Sequence, residues 1–338
     1  MAKITVLGAG AWGSTMAQVL VDGANDVLLW GRREEVVTEI NTSHTNTKYL
    51  GSQVLPESLK ATSDINEAFA HSKYIVLAIP AQSLREKLTE LKPLFKGDEI
   101  IISTLKGIEI STQMRMSEII EEILPNRKIA VITGPNLADE LILRQPAAAV
   151  VASQSPELAK ELQEIFKAKY YRVYTSTDVM GCELAGAVKN VIALAVGIAI
   201  GLGLGENTQA MIITRGLNEV ARLCAAHGSE PLTAAGLAGM GDLVATCGSP
   251  LSRNRTFGEE IGRSGSYENA RQHFSRTVEG VASASAVIEV AHRVGVEVPI
   301  IEAVADLIKG LLSPQAAMDR LMKISTESEN FIKWVKRR

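Results

Sequence analysis

Residues 4–21 read ITVLGAGAWGSTMAQVLV. The first four are apolar or β-branched and suit a short buried strand. GAGAWG occupies residues 8–13, and residues 14–21 have the composition of a helix. Strand, glycine turn and helix in that order form the context in which G-x-G-x-x-G binds a dinucleotide. In that geometry Gly8 makes the tight turn, Gly10 lets the backbone approach a pyrophosphate, and Gly13 lets the helix pack on the strand. The helix start then offers free amides and a positive dipole end to the phosphates. The stretch therefore predicts an α/β Rossmann-type N-terminal domain built on a parallel-rich sheet.

Working outward, residues 26–30, DVLLW, read as the second strand. An acidic residue at its end would bind the adenosine ribose of NAD. Gly31-Arg32-Arg33 stands there instead, with no acid before Glu34. An acid would repel a 2′-phosphate, whereas two arginines can hold one. NADP(H) is favoured on this ground and NAD(H) stays open; the alternative is two solvated arginines at a helix start. Apolar strands follow at 74–79, 99–103, 128–133, 147–152 and 171–174, with an amphipathic helix at 82–91. Continuous apolar strands separated by helices imply a parallel sheet covered on both faces. Ligands of such sheets bind beyond the carboxyl ends of the strands. Lys106, and Gly134-Pro135-Asn136, lie just past two such ends.

The strand pattern stops after residue 174. The expected division is a dinucleotide-binding domain over 1–177 and an all-α substrate-binding domain over 178–338. Residues 184–205, LAGAVKNVIALAVGIAIGLGLG, contain a single charge, Lys189. A helix over 185–200 would be buried all round. Lys189 and Asn190 interrupt it too early for a bilayer span of ~20 apolar residues. A buried ammonium needs a partner; the alternative is a lysine whose head snorkels to the surface. Further on, Asp242 sits in GLAGMGDLVATC at 236–247. SPLSRNR at 249–255 gathers Ser252, Arg253, Asn254 and Arg255, a donor cluster suited to phosphate. The plain alternatives are a helix cap for Asp242 and a surface charge for Arg253.

Composition narrows the partners. A chain of 338 residues is long for a single core, so two domains are expected. A formal net charge of −3 gives no general attraction to nucleic acid or acidic membranes. Cys182, Cys224 and Cys247 are far apart, without a disulfide framework or metal spacing, which suits a reducing cytosol. The histidines show no ligand spacing, so no metal is expected. Because the first residues run straight into a strand, a cytoplasmic location is expected.

Taken together, GAGAWG, LKGIE, GPNLADE, GAVKNVIALAVGI, TRGL, GLAGMGDLVATC, SRNR and VEG resemble, in the same order, the bacterial type of NAD(P)-dependent glycerol-3-phosphate dehydrogenase. The likeness runs from about residue 4 to about residue 321. It implies a Rossmann-type domain, a helical domain and interconversion of dihydroxyacetone phosphate and sn-glycerol 3-phosphate, supplying glycerol 3-phosphate for phospholipid synthesis. Carried over, it makes Lys189 the proton donor and acceptor, with Lys106 and Asp242 also catalytic. Gly134, Asn136, Ser252, Arg253 and Asn254 join those three around the substrate, Arg253 and Asn254 on its phosphate. Cofactor positions are Gly8, Gly10, Ala11, Trp12, Gly13, Arg32, Arg33, Tyr49, Lys106, Ala138, Arg253, Thr277 and Glu279. Asn136 and Leu105 stand where the family usually has Ser or Thr, and Ala11 where Ser is common. Two other readings compete: a related reductase of a 3-hydroxy acid or ketopantoate-like substrate, which would not need the SRNR cluster, and a non-catalytic NADP(H)-binding regulator, against which Lys189 and Asp242 speak. The expected partner is the small-molecule substrate, with no nucleic acid or membrane span and a homodimer left open.

Overall fold

The computed structural model describes residues 1–274 and 278–323; Thr277 lies outside them. The chain divides into two compact units, Met1–Lys106 with Arg115–Val179, and Gly107–Met114 with the chain from Met180 onward.

The first unit holds strands β1 (Lys3–Leu7), β2 (Asp26–Trp30), β3 (Lys60–Thr62), β4 (Tyr74–Leu77), β5 (Ile100–Ser103), β6 (Lys128–Thr133), β7 (Ala147–Ala152) and β8 (Tyr171–Ser176). Its helices are α1 (Ala11–Asp22), α2 (Glu34–Ser43), α3 (Thr47–Leu50), α4 (Ile65–His71), α5 (Leu84–Leu91), α6 (Met116–Ile123), α7 (Ala138–Leu141) and α8 (Pro156–Phe166). The strands form one sheet in the order β3-β2-β1-β4-β5-β6-β7-β8. The strand order reverses between β1 and β4, the position where doubly wound sheets receive ligands. The glycine turn is tied in there: Gly8 N donates to Trp30 O, and Ala78 N to Leu7 O. Apolar side chains on both faces, such as Ile4, Val6, Ile75, Val76, Ile101 and Ile102, are buried under helices.

Two features differ from a uniformly parallel sheet of apolar strands. All neighbours are parallel except β6 and β7, which pair antiparallel. A parallel crossover is usually made by an α-helix that packs on the sheet. The link between these strands carries only the single turn α7, pinned by the Gln18 amide, which donates to Leu141 O and Ile142 O. The chain therefore returns rather than crosses. The edge strand β3 has no apolar run to announce it. Asn41 holds it instead, its amide pairing with both the oxygen and the nitrogen of Ala61, as a neighbouring strand would.

The second unit is helical among its described residues: α9 (Val179–Gly201), α10 (Glu206–Ala226), α11 (Asp242–Gly248), α12 (Arg253–Ser264), α13 (Tyr267–His273), α14 (Glu279–Arg293), α15 (Pro299–Ile308) and α16 (Pro314–Met322). Residues 107–114 belong with it because Ile108 is fully buried in its core. Helix α9 is long and apolar enough to cross a membrane, but 89% of its most apolar window is buried inside the protein. It is the core helix of this unit.

α12 crosses α9 at a distance that only glycine permits. A Cβ on Gly197 would stand 2.0 Å from Arg255 O, and one on Gly201 2.1 Å from Glu259 O. In the other direction, a Cβ on Gly258 would meet Leu194 O at 2.2 Å and one on Gly262 would meet Ile198 O at 2.4 Å. Gly258→Ala gains about 1 kcal/mol of helix propensity but must separate two backbones, and overpacking of this kind costs about 1–3 kcal/mol or more. The clash therefore decides the sign. Gly258→Ala should lower the thermal midpoint by several degrees, at roughly 2–4 °C per kcal/mol for a domain of this size. Gly248→Ala, where nothing lies within 4 Å of the added carbon, should leave it unchanged or slightly raised; equal midpoints for the two variants would refute the account.

Candidate active site

In the first unit the three glycines of the turn have separable reasons to be glycine. Gly8 has φ +122°, and a Cβ there would lie 2.5 Å from Ala78 O. A Cβ on Gly13 would lie 1.8 Å from Gly8 O. Both are required by the fold itself. Gly10 has an ordinary φ of −82°, and nothing lies within 4 Å of where its Cβ would be. Its absence of a side chain leaves open space at the start of α1. The first helical N–H groups have no intrahelical acceptor, and Gly10 as N-cap supplies no side chain to them. The result is a cradle of backbone donors at a positive helix end, which fits the pyrophosphate of a dinucleotide. Ala11 and Trp12 open the helix, and the Trp12 indole N–H is buried without an acceptor.

Arg32 is exposed and Arg33 half-buried, just past β2. Neither guanidinium has a hydrogen-bond or ion-pair partner among the described residues. Tyr49 lies on α3, 39% exposed, and Ala138 opens α7. At the ends of β5 and β6, Lys106 Nζ donates to Gly134 O at 2.9 Å. Asn136 Oδ1 accepts from the Tyr171 hydroxyl at 3.2 Å, while its Nδ2 is buried with no acceptor. The structure thus groups Lys106 with Gly134, two residues from Asn136.

In the second unit, Lys189 lies on α9 and is 7% exposed, and Asp242 is 2% exposed. Lys189 Nζ donates to Asp242 Oδ1 and to Thr246 Oγ1, both at 2.7 Å. Thr246 donates to the same carboxylate oxygen at 3.2 Å. An ammonium has three N–H donors, so one is left for another acceptor. Asp242 reaches this position because residues Leu237–Gly241 form a π-helical turn that runs into α11. Gly239 makes that turn possible, since a Cβ there would stand 2.1 Å from Ala234 O. Such turns are frequent at functional sites.

Next to Lys189, Asn190 Oδ1 accepts from Asn254 Nδ2, and Asn254 Oδ1 accepts from Gly280 N, both at 2.9 Å. Glu279, the residue before Gly280, opens α14. Ser252 caps α12, its Oγ accepting from Arg255 N at 3.3 Å, which leaves the hydroxyl proton to donate elsewhere. Arg253 is the first residue of that helix, exposed and without a partner among the described residues. Thr246 and Asn190 were not among the residues expected from sequence. Thr246 carried a usable signal, lying four residues after Asp242 and so on the same helix face; Asn190 carried none beyond adjacency to Lys189. Among the described residues no group of three or more His, Cys, Asp or Glu could hold a metal ion.

A sheet whose strand order begins 3-2-1-4-5-6 with G-x-G-x-x-G at its switch point, in a chain whose second unit is helical and holds a buried lysine–aspartate pair, is the arrangement of a dinucleotide-dependent oxidoreductase. The comparisons with known proteins specify which. The family model described as NAD-dependent glycerol-3-phosphate dehydrogenase N-terminus matches residues 3–159, and that of the C-terminus matches 178–319. A protein of Thermobifida fusca named glycerol-3-phosphate dehydrogenase [NAD(P)+] is 48% identical over 334 residues, 98% of this chain and 99% of its own. One of Corynebacterium glutamicum (strain R) with the same name is 52% identical over 308 residues, 90% of this chain and 92% of its own. The crystal structure of glycerol-3-phosphate dehydrogenase from Coxiella burnetii superposes with a TM-score of 0.89 at 35% identity, covering 95% of this chain and 99% of that one. The chain belongs to the NAD-dependent glycerol-3-phosphate dehydrogenase family.

Cys247 follows Thr246 directly, and burial pushes its thiol up to about 12, with Asp242 adding to the rise and Lys189 opposing it. The three cysteines are buried and form no disulfide. The native protein at pH 8 should therefore release less than one equivalent of chromophore with a thiol-titrating disulfide, and three after denaturation. Rapid native reaction of one thiol would contradict the burial.

Proposed function

We propose that this chain interconverts dihydroxyacetone phosphate and sn-glycerol 3-phosphate with NADPH or NADH, and that its product feeds the synthesis of glycerophospholipids. The observation that carries the mechanism is the Lys189–Asp242–Thr246 group. When bound, the dihydronicotinamide supplies a hydride to the ketone carbon of the substrate. Lys189, through the N–H not used by Asp242 and Thr246, donates a proton to the ketone oxygen and stabilises the negative charge that develops there. In the oxidative direction the same nitrogen takes the proton back. Asp242 and Thr246 hold the nitrogen in one place. Lys106, Gly134 and Asn136 contact the substrate, with Lys106 adding a second positive charge. Ser252 and Arg253 offer donors to the phosphate, and Asn254, engaged by Asn190 and Gly280 N, orients that cluster and gives its remaining N–H. Binding energy from the phosphate end then positions the ketone. Gly8, Gly10, Ala11, Trp12, Gly13, Arg32, Arg33, Tyr49 and Ala138 are the cofactor positions of the first unit, and Glu279 and Arg253 those of the second. Thr277 belongs to the same reading.

The pair itself supports a catalytic reading. Desolvating an ion costs several kcal/mol, and a buried ion pair often contributes less to stability than apolar side chains of similar volume. Its presence inside an apolar helix is better explained by chemistry than by stability. A ketopantoate reductase from Ralstonia eutropha is similar in fold alone, with a TM-score of 0.59 at 15% identity. A cytoplasmic location and a homodimer complete the proposal. Three buried cysteines that form no disulfide support the first.

The reading is tested by cofactor oxidation against dihydroxyacetone phosphate, dihydroxyacetone and a panel of keto acids. Only the phosphorylated ketone should be turned over efficiently, and Lys189→Ala should abolish that turnover while leaving NADPH affinity within about threefold, since the residue lies outside the cofactor cradle. Arg253→Ala should lower kcat/KM for dihydroxyacetone phosphate by about 10–100-fold, because a hydrogen bond to a charged group contributes about 1.5–3 kcal/mol. It should leave the slow reaction of dihydroxyacetone nearly unchanged. Equal losses on both ketones would remove Arg253 from the phosphate.

Arg32→Ala combined with Arg33→Ala should weaken NADPH by about tenfold or more and NADH by less than about threefold. The expectation follows from losing charge-assisted contacts that only the 2′-phosphate can make. Fluorescence titration with both cofactors decides it, and matched losses would show the arginines to be merely solvated.

A further inference from the structure

Asn46 is fully buried between α2 and α3. Its Nδ2 donates to the carbonyl oxygen of Ala9 at 3.1 Å and to Oγ of Ser14 at 2.9 Å. Ala9 lies between the first two glycines of the turn, and Ser14 directly follows the third. The amide orientation follows from chemistry: a backbone carbonyl only accepts, so the side facing Ala9 O must be the NH2 group. Oδ1 is then left buried with no donor. The backbone of Asn46 serves the other direction. Its oxygen accepts from Tyr49 N at 3.0 Å and Leu50 N at 2.8 Å, starting the turn α3 on which Tyr49 sits. The segment is secured by Glu39, whose Oε1 accepts from Thr47 N and Thr45 Oγ1, both at 2.8 Å. These bonds, led by the one from Thr47 N, hold the Glu39 carboxyl below its ordinary value.

A residue needed only to fill this space would not be an amide. Burying Oδ1 without a donor is costly, and an apolar side chain of similar size would avoid the cost. What the amide adds is its two Nδ2 bonds, one on each side of Gly10. Gly10 is the one glycine of the turn with no reason in the fold to lack a side chain. A site for a pyrophosphate tolerates no carbonyl oxygen turned toward it, and Asn46 keeps the Ala9 oxygen engaged.

We propose that Asn46 is a positioning residue for the dinucleotide: by holding Ala9 O and Ser14 Oγ it fixes the glycine turn with its amides free, and couples that turn to the segment carrying Tyr49. The proposal rests on the reading of the turn as the cofactor site, so the experiment tests both. Asn46→Ala, Asn46→Asp and Gly10→Ala are compared with wild type in NADPH affinity, in KM and kcat at saturating NADPH, and in amide hydrogen exchange. Gly10→Ala fits the space, because its added carbon meets nothing within 4 Å, and alters the cradle without touching Asn46. Asn46→Ala should raise the Kd for NADPH by about tenfold, as expected for two lost hydrogen bonds. KM for dihydroxyacetone phosphate and kcat should stay within about twofold at saturating cofactor, by the logic that only cofactor binding has been altered. Amide exchange should quicken over residues 8–14 and not over α8. Asn46→Asp, which sets an acceptor against Ala9 O, should weaken NADPH at least as much. An unchanged Kd in Asn46→Ala beside a raised one in Gly10→Ala would overturn the proposal alone. Unchanged values in both would overturn the cofactor reading of the turn as well. Exchange quickened equally over α8 would reduce Asn46 to a structural residue and also overturn it. Should Asn46→Ala fail to fold, Ser14→Ala removes one of the two acceptors and should give a smaller rise in Kd; no rise would count against the proposal in the same way.

Discussion

The second unit depends on the close crossing of α9 and α12. Gly197 and Gly201 on one helix and Gly258 and Gly262 on the other each face a carbonyl of the partner helix at a distance no side chain could occupy. The crossing is more than packing, because it sets what lies along the two helices. Toward its N-terminal side, α9 carries Lys189 and Asn190. The start of α12 carries Ser252, Arg253 and Asn254. With the backbones in contact, Asn254 reaches Asn190 directly, and its other face takes Gly280 N at the start of α14. Gly280 belongs to the same arrangement, since a Cβ there would lie 2.5 Å from Asn190 O. Three helices are thereby registered against one another at the level of the lysine.

That registration explains how an ammonium can be held inside an apolar helix. Val188, Val191 and Ile192 around Lys189 are fully buried. Moving an ammonium into such a setting costs several kcal/mol unless partners are already in place. Asp242 and Thr246 are in place because the π-helical turn and α11 are continuous, so carboxylate and hydroxyl project from successive turns of one helix. The geometry satisfies two of the three ammonium donors from within the protein. An alternative third partner would quench the group; its absence among the described residues leaves a donor directed by rigid elements, which is the condition for charge stabilisation without reorganisation.

The glycine turn and its strand were legible in sequence because every determinant is local: a strand, a six-residue signature and a helix in direct succession. The strands β2, β6 and β7 were legible to their end residues for the same reason, being unbroken apolar runs. What failed to show was anything that depends on a partner distant in the chain. Strand β3 pairs with β2 and is held on its other edge by Asn41, and β7 reverses because the link before it holds too little helix for a crossover. In the candidate site, Lys189 and Asp242 could each be singled out, but their pairing spans 53 positions and has no sequence signature. The glycines of α9 and α12 read as small residues in apolar helices, and only the crossing reveals that each is obligatory. Residues 107–114 read as a continuation of the sheet domain, yet the burial of Ile108 places them with the helices.

The contrast within GAGAWG carries the argument one step further. The motif already divides the roles, with Gly8 for the tight turn, Gly10 for the approach of a pyrophosphate and Gly13 for the packing of helix on strand. The structure gives each a separate physical basis. Gly8 and Gly13 are explained by collisions with Ala78 O and Gly8 O, and they would be glycine whether or not a dinucleotide ever bound. Gly10 has ordinary dihedrals and empty space before it. Gly10 is the N-cap of α1, where a serine, asparagine or aspartate side chain would hold the first helical N–H groups and glycine cannot, so the fold alone favours a polar side chain there. The retained glycine is therefore a cost to the free protein that only an approaching ligand offsets. The same logic applies to the unpaired Oδ1 of Asn46 and to the buried Lys189: each departs from what stability alone would select, and each lies where the proposed reaction needs it.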